Sequence, residues 1–199
     1  MRKDAFVRCW SAPEFLPLAF KQSGLTLVEL VVTLVLAIIL STLGVQSFEH
    51  LFGQSLADSS IYSLRTALAL ARSEAVSRNA SVVLCRQGDL HQNCAGSSAR
   101  GRPDWSRGWL LFVDVDRDKI LDTSKGDQIL REFPALNTSV VLRWNRGDYV
   151  AYQESGRLHS LNGTFCLRNG SGSTDHLREL KIPYTGRVRI TSGECSFTW

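Results

Sequence analysis

Lysine is scarce in most of this chain: beyond residue 48 there are sixteen Arg and only three Lys. Guanidinium suits bidentate contacts to phosphate or carboxylate, but Arg is also common in GC-rich genomes, so the skew alone decides little. Other absences exclude more. No Cys-x-x-Cys occurs, and the four histidines, His50, His91, His159 and His176, are isolated from one another, which argues against a metal centre. No Gly-x-Ser-x-Gly, His-Glu-x-x-His or phosphate-binding loop accompanies them, so an enzyme is the least supported class, although distance in sequence does not forbid clustering in space. There is no internal repeat. Proline is missing from Glu49 to Ser77, which leaves a long helix uninterrupted.

Charge is missing where it matters most. From Leu25 to Phe48 the only ionisable residue is Glu29. As a helix these 24 residues would extend roughly 36 Å at ~1.5 Å per residue, enough for ~30 Å of hydrocarbon with some tilt. The run follows Lys21-Gln22-Ser23-Gly24. An ordinary secretory signal is cut after its apolar core; a cut after Gly24 would keep the apolar segment as the new N-terminus. The mature chain would then have 199 − 24 = 175 residues, one membrane helix and one soluble domain. Arg2, Lys3, Arg8 and Lys21 outnumber Asp4 and Glu14 in the leader, placing that flank in the cytoplasm and the bulk of the chain in the periplasm. With the leader's net of 4 − 2 = +2 removed from the chain's +4, the mature charge is +2, too mild to imply a polyanionic partner by itself.

Cysteine usage agrees with an oxidising compartment. Cys9 lies in the leader, leaving Cys85, Cys94, Cys166 and Cys195. Four cysteines allow three pairings; Cys85–Cys94 and Cys166–Cys195 are favoured because each spans one plausible hairpin.

Beyond the apolar run, Ile61, Leu64, Leu68, Ala71 and Ala75 recur at spacings of three and four, one stripe of an amphipathic helix. Arg65, Arg72, Glu74 and Arg78 lie mostly off it, Gly44 and Gly53 are points where it could bend, and Asn79 is a suitable stop. After residue 80 the period becomes two. Strands are predicted over 81–85, 108–113, 129–133, 139–144, 149–153, 163–167, 177–182 and 188–190, separated by turn signals such as Asn145-Arg146-Gly147-Asp148, Glu154-Ser155-Gly156, Asn169-Gly170-Ser171-Gly172 and Thr185-Gly186. The predicted class is α+β: a long N-terminal helix packed on an antiparallel β domain. Its divisions are a leader (1–24), an apolar half-helix (25–48), an amphipathic half-helix (49–79) and a β domain (80–199).

Gly24, Leu25 and Glu29, the segment Leu68 to Cys85, the block Trp105, Gly108-Trp109 and Phe112-Val113-Asp114 with Asp116 and Asp118, and the closing blocks Gly163-Thr164-Phe165-Cys166 and Gly186-Arg187-Val188-Arg189 together resemble the minor pilins and pseudopilins of the GspH/FimT/FimU group in the type IV pilin-like superfamily. The resemblance covers nearly all of the mature chain. Two positions depart from the pattern: Leu25 where Phe is commoner, and Gln46 where many relatives have a Pro that kinks the helix.

The resemblance implies a pilin-like fold with two small sheets. It implies cleavage between Gly24 and Leu25 by a prepilin peptidase, N-methylation of Leu25, insertion in the inner membrane and assembly with other major and minor pilins or pseudopilins. That places the chain in a type IV pilus or a type II secretion pseudopilus, with no cofactor. Glu29 fits as an assembly residue, since a carboxylate in an apolar helix needs a partner, here the new amine of Leu25; the plainer reading leaves Glu29 unpaired at the headgroup level.

Three further features bear on function. Asp114-Val115-Asp116-Arg117-Asp118-Lys119-Ile120-Leu121-Asp122 imitates a calcium loop, but Lys119 and Lys125 stand where an EF-hand needs Gly and Glu, so a tight acidic turn is expected and no metal. Trp105, Trp109, Trp144 and Trp199 are expected in the core or at subunit contacts. Strand alternation puts Arg187 and Arg189 on one face with Val188 turned inward. Two guanidiniums ~7 Å apart roughly match the phosphate repeat of DNA, and Lys181 and Arg178 could extend the patch. The FimT-like resemblance links such a Gly-Arg-x-Arg segment to double-stranded DNA in natural transformation; the plainer reading is a solvated edge or salt bridges to Glu179 or Glu194.

Overall fold

The computed structural model describes residues 24, 26–90, 92–160, 162–169, 177–193 and 195–197, with the backbone alone for 42–50. The expectations placed on residues 1–23, Leu25, His91, Gly170 to Gly172, His176, Glu194 and Trp199, and on the side chains of Gln46 and His50, lie outside the described residues. The chain divides into two units, Met1–Gly44 and Val45–Trp199.

Helix α1 runs Leu27–Arg78. In the first unit its start is fixed by Thr26, whose Oγ1 accepts from the Glu29 amide at 3.2 Å and whose carbonyl accepts from the Leu30 amide at 3.1 Å. Thr-x-x-Glu is the pattern of a capping box, and Glu29 falls in the first turn, where a carboxylate opposes the helix dipole favourably. The side chains from Leu27 to Leu40 are exposed. The Thr33 and Ser41 hydroxyls donate back to the Leu30 and Ala37 carbonyls at 2.9 and 2.7 Å, which satisfies them within the helix. Among the described residues no helix is long and apolar enough to cross a membrane; the predicted span 25–48 reaches past them at Leu25 and at the side chains of 42–48.

In the second unit the predicted stripe is the core face of α1. Ile61, Leu64, Leu68, Ala71 and Ala75 are buried, joined by Ala57 and Ala67; the alanines let strands approach closely. The helix ends where expected, with Asn79 at φ 50° and the Ala80 amide returning to the Ala75 carbonyl at 3.2 Å.

Eight strands follow: β1 (Ser81–Arg86), β2 (Trp109–Asp114), β3 (Gln128–Phe133), β4 (Val140–Trp144), β5 (Tyr149–Tyr152), β6 (Gly163–Asn169), β7 (Arg178–Ile182) and β8 (Arg189–Ser192). They form two four-stranded sheets, ordered β3-β2-β1-β5 and β4-β6-β7-β8, antiparallel throughout. In β1 the alternation is used twice: Val82 and Leu84 join the main core with the helix stripe, while Val83 and Cys85 join a second cluster with Leu110, Phe112 and Ala151.

Trp105, Trp109 and Trp144 are all core residues. Trp144 stacks on Phe165 at 4.2 Å between centroids, and Trp105 meets the same ring edge-on at 5.0 Å. Gly163 is glycine because a Cβ there would stand 1.9 Å from the Trp144 ring. Both predicted disulfides are present, Cys85–Cys94 and Cys166–Cys195.

Candidate functional site

Along β4, β6 and β7, the residues Leu142, Phe165, Leu167, Leu180 and Ile182 turn to the core. Alternation therefore turns Arg143, Cys166, Arg168, Glu179 and Lys181 to the opposite face of the second sheet. On β8, Arg189 and Thr191 join them; Lys181 lies directly opposite Arg189, and Glu179 opposite Thr191. Arg187 precedes β8 and is exposed, as is Arg189, while Val188 is half-buried against the core as expected. Among the described residues neither Arg187 nor Arg189 makes an ion pair.

Glu179 sits at the centre of this face, 3% exposed. Its carboxylate accepts from Lys181 Nζ at 2.7 Å, from the Ser196 amide at 3.0 Å and from Thr191 Oγ1 at 3.4 Å. Burial alone would raise this carboxyl; the hydrogen bonds from Lys181 and Ser196 outweigh it and hold the group below its ordinary value. The same contacts draw the C-terminal segment across the sheet. Cys195 is bonded to Cys166, and the Phe197 ring lies 5.2 Å from the Arg102 guanidinium.

Arg178 does not join the patch. It shares the face of Leu180 and Ile182, toward the helix, and its Nε meets Asp58 Oδ1 at 2.7 Å. Of the expected set of four cations, Arg189 and Lys181 thus share one side of the sheet, Arg187 is exposed just before β8, and Arg178 is on the other side, because position 178 has the parity of the core residues. Lys181 already has Glu179. The sequence reading missed Asp58, the role of Glu179 and the C-terminal strap; only the Cys166–Cys195 pairing pointed toward the last.

Gly186 shapes the approach to Arg187. It has φ +74°, and a Cβ would stand 2.3 Å from the Gly156 carbonyl oxygen, so the turn admits only glycine.

The acidic segment is the expected turn. Asp114 accepts from Ser81 Oγ at 3.2 Å, Asp127 from the Val115 and Asp122 amides at 2.9 Å each, Asp118 from the Ile120 amide at 2.7 Å. Burial, with the Asp127 charge nearby, pushes the Asp114 carboxyl up. Carboxylate oxygens of Asp114, Asp116 and Asp127 come within 4.8 Å of one another, and Lys125 Nζ bridges Asp116 and Asp118 at 2.9 and 2.7 Å. The ammonium thus pairs with one member of that group, Asp116, and with Asp118 beside it. At the other end of the chain, Gly24 is exposed with open space around it. Among the described residues the site thus presents exposed cations beside a buried carboxylate.

The sequence pattern of the family described as type II transport protein GspH matches residues 61–182. The fold is similar to that of the type IV minor pilin FimU of Pseudomonas aeruginosa, at 22% identity and a TM-score of 0.52, over 72% of this chain and 90% of that one. A second crystal form of FimU matches at 22% identity and a TM-score of 0.50, over 69% and 91%. The minor pseudopilin EpsH from the Type 2 Secretion System of Vibrio cholerae is similar at 15% identity and a TM-score of 0.48, over 68% and 96%. No curated protein matches.

Proposed function

The chain belongs to the GspH family, and from that footing we propose that it is a minor pilin or pseudopilin, a non-catalytic subunit of a type IV pilus or a type II secretion pseudopilus. The observation that carries the reading is the order of parts along one chain: Gly24, an uncharged run broken only by Glu29, and a helix stripe that organises a two-sheet domain. In this reading a prepilin peptidase cuts between Gly24 and Leu25, and Leu25 is N-methylated. Residues 25–48 first hold the subunit in the inner membrane, with the β domain in the periplasm, and then pack among the helices of neighbouring subunits. Glu29 meets the Leu25 amine, its own or a neighbour's, which offsets the cost of a carboxylate in an apolar setting.

Gly24→Ala and Glu29→Ala, expressed in the native cell, test this. Gly24→Ala is expected to keep the leader, read as a larger band on immunoblotting, and Glu29→Ala to be absent from sheared filaments or pseudopili. Normal processing and incorporation of both variants would sink the reading.

A second reading, duplex DNA held for uptake, is favoured by one observation: Arg189 and the nearby Arg187 are both exposed, with Lys181 across the ladder from Arg189. Binding by these cations alone would be weak, salt-sensitive and blind to sequence. The full chain titrated with duplex DNA at several salt concentrations tests it, with Arg187→Gln/Arg189→Gln expected to flatten the salt dependence.

A further inference from the structure

A sheet edge is an unused row of backbone donors and acceptors unless something covers it. In the second sheet, the edge at β4 is covered: the Trp105 amide donates to the Leu142 carbonyl at 2.7 Å, and the Leu142 amide to Ser106 Oγ at 2.8 Å. In the first sheet, the edge at β5 is covered by residues 157–159, where the His159 amide donates to the Ala151 carbonyl and the Gln153 amide to the Arg157 carbonyl, both at 2.8 Å. β8 closes the other side of the second sheet and pairs with β7. Among the described residues no backbone group pairs with its outer edge.

We propose that this edge is a docking site for an extended acidic segment of a different pilin-like subunit, which adds as a further strand beside β8. The proposal rests on the assembly reading above and names the contact by which one neighbour is recognised. Strand addition takes affinity from the main chain and specificity from alternate side chains, and the outer face of this edge is selective. On the outer face stands Arg189, with Lys181 opposite it across the ladder, and the exposed Arg187 lies two residues before it. Like charges facing one another are unfavourable, and the Lys181 ammonium is the one already on Glu179, so the two arginines await carboxylates. On the inner face a groove of about 440 Å³ opens between β8 and α1, lined by Asp58, Arg65, Arg178 and Ser192 with Ile61 and Val188 among others, so that its open surface is mostly polar. A strand with acidic residues at alternate positions sets them against the arginines while its main chain pairs with the edge.

Charge also decides against the two other occupants. A second copy would bring its own Arg187 and Arg189 to the same edge, doubling the positive charge there, so the edge disfavours self-pairing. Duplex DNA could use the arginines, but it has no use for an unpaired backbone edge or for the groove behind it.

The test uses the full chain in detergent micelles and a fluorescent peptide of about ten residues, a long natural strand, alternating Val and Glu. The same peptide with N-methylated backbone amides, an alternating Val and Lys peptide, and a short DNA duplex complete the set. The Val–Glu peptide is expected to bind, with Arg187→Gln/Arg189→Gln weakening it about tenfold or more. N-methylation is expected to remove the binding, and the Val–Lys peptide to show none. Equal binding of the N-methylated peptide would overturn the proposal by reducing it to charge attraction. So would duplex DNA that binds through the two arginines while the Val–Glu peptide does not. The arginines are exposed, so their replacement leaves the core intact, and the N-methylation arm needs no variant. Failure here leaves the assembly reading to its own test, incorporation of Glu29→Ala.

Discussion

Arg178 Nε lies 2.7 Å from Asp58 Oδ1, and this one contact ties the third strand of the second sheet to the helix stripe. The Arg178 side chain is 15% exposed and the Asp58 side chain 44%, so the pair is neither a free surface bridge nor a fully buried one. Replacing either partner, Arg178→Gln or Asp58→Asn, is expected to lower stability by about 1 kcal/mol, near the top of the range for partly exposed pairs. The double variant should cost less than the sum, since the two residues share one interaction. Urea unfolding of the four proteins reads both.

The division of the second sheet into two faces explains what could and could not be read from the residues alone. The eight strands are legible because alternation changes sharply after Ala80, and the helix face is legible because Ile61 to Ala75 repeat at helical spacing. The fate of Arg178 is not. Parity shows that 178 and 181 lie on different faces, but which face meets the helix is decided by Leu180 and Ile182 packing against it, a tertiary fact. The acidic segment reads correctly as a turn from its two lysines. That Lys125 spans Asp116 and Asp118 depends on the short 3-10 turn Thr123–Lys125 folding back, which no local pattern announces. Glu179 was legible only as a nearby counter-charge, since its three donors come from three separated segments.

Glu179 gives a pH prediction. Its folded value lies below its ordinary 4.5, so the folded state binds this proton less readily than the unfolded chain. The group's contribution is therefore fully present above 4.5 and is lost as pH falls through the lowered folded value. Thermal melts on acidification should show the wild type losing stability below about pH 4.5 more steeply than Glu179→Gln, whose curve lacks this component. Parallel curves would mean that Glu179 is not the anchor of the C-terminal strap.

The disulfides should differ in both energy and consequence. Cys85–Cys94 has a sequence separation of 9 and Cys166–Cys195 one of 29. Loop-closure entropy then gives about 2.6 and about 3.6 kcal/mol respectively. Cys166→Ser/Cys195→Ser should in addition free the strap, read as faster hydrogen exchange at the Ser196 amide and loss of the Arg102–Phe197 contact. Cys85→Ser/Cys94→Ser should leave Ser196 protected. Equal exchange at Ser196 in both double variants would show that Glu179 and Arg102 hold the strap without the covalent link.

Gly186 is the most demanding position near the two arginines. Its φ of +74° already disfavours any L side chain, by about 1–2 kcal/mol. A Cβ would also stand 2.3 Å from the Gly156 carbonyl oxygen and 2.9 Å from the Tyr152 ring, and neither can retreat freely: Tyr152 is fully buried, and the Gly156 amide is fixed to the Gln153 carbonyl at 2.8 Å. Gly186→Ala should therefore cost more than the backbone term alone, about 2–4 kcal/mol in all. A Gly126→Ala control separates the two causes, since Gly126 has φ +98° but open space around it. If both variants lose the same stability, the crowding at Gly156 is relieved by a shift of the loop. In that case Arg187 moves with it, and binding at the β8 edge should weaken in Gly186→Ala but not in Gly126→Ala.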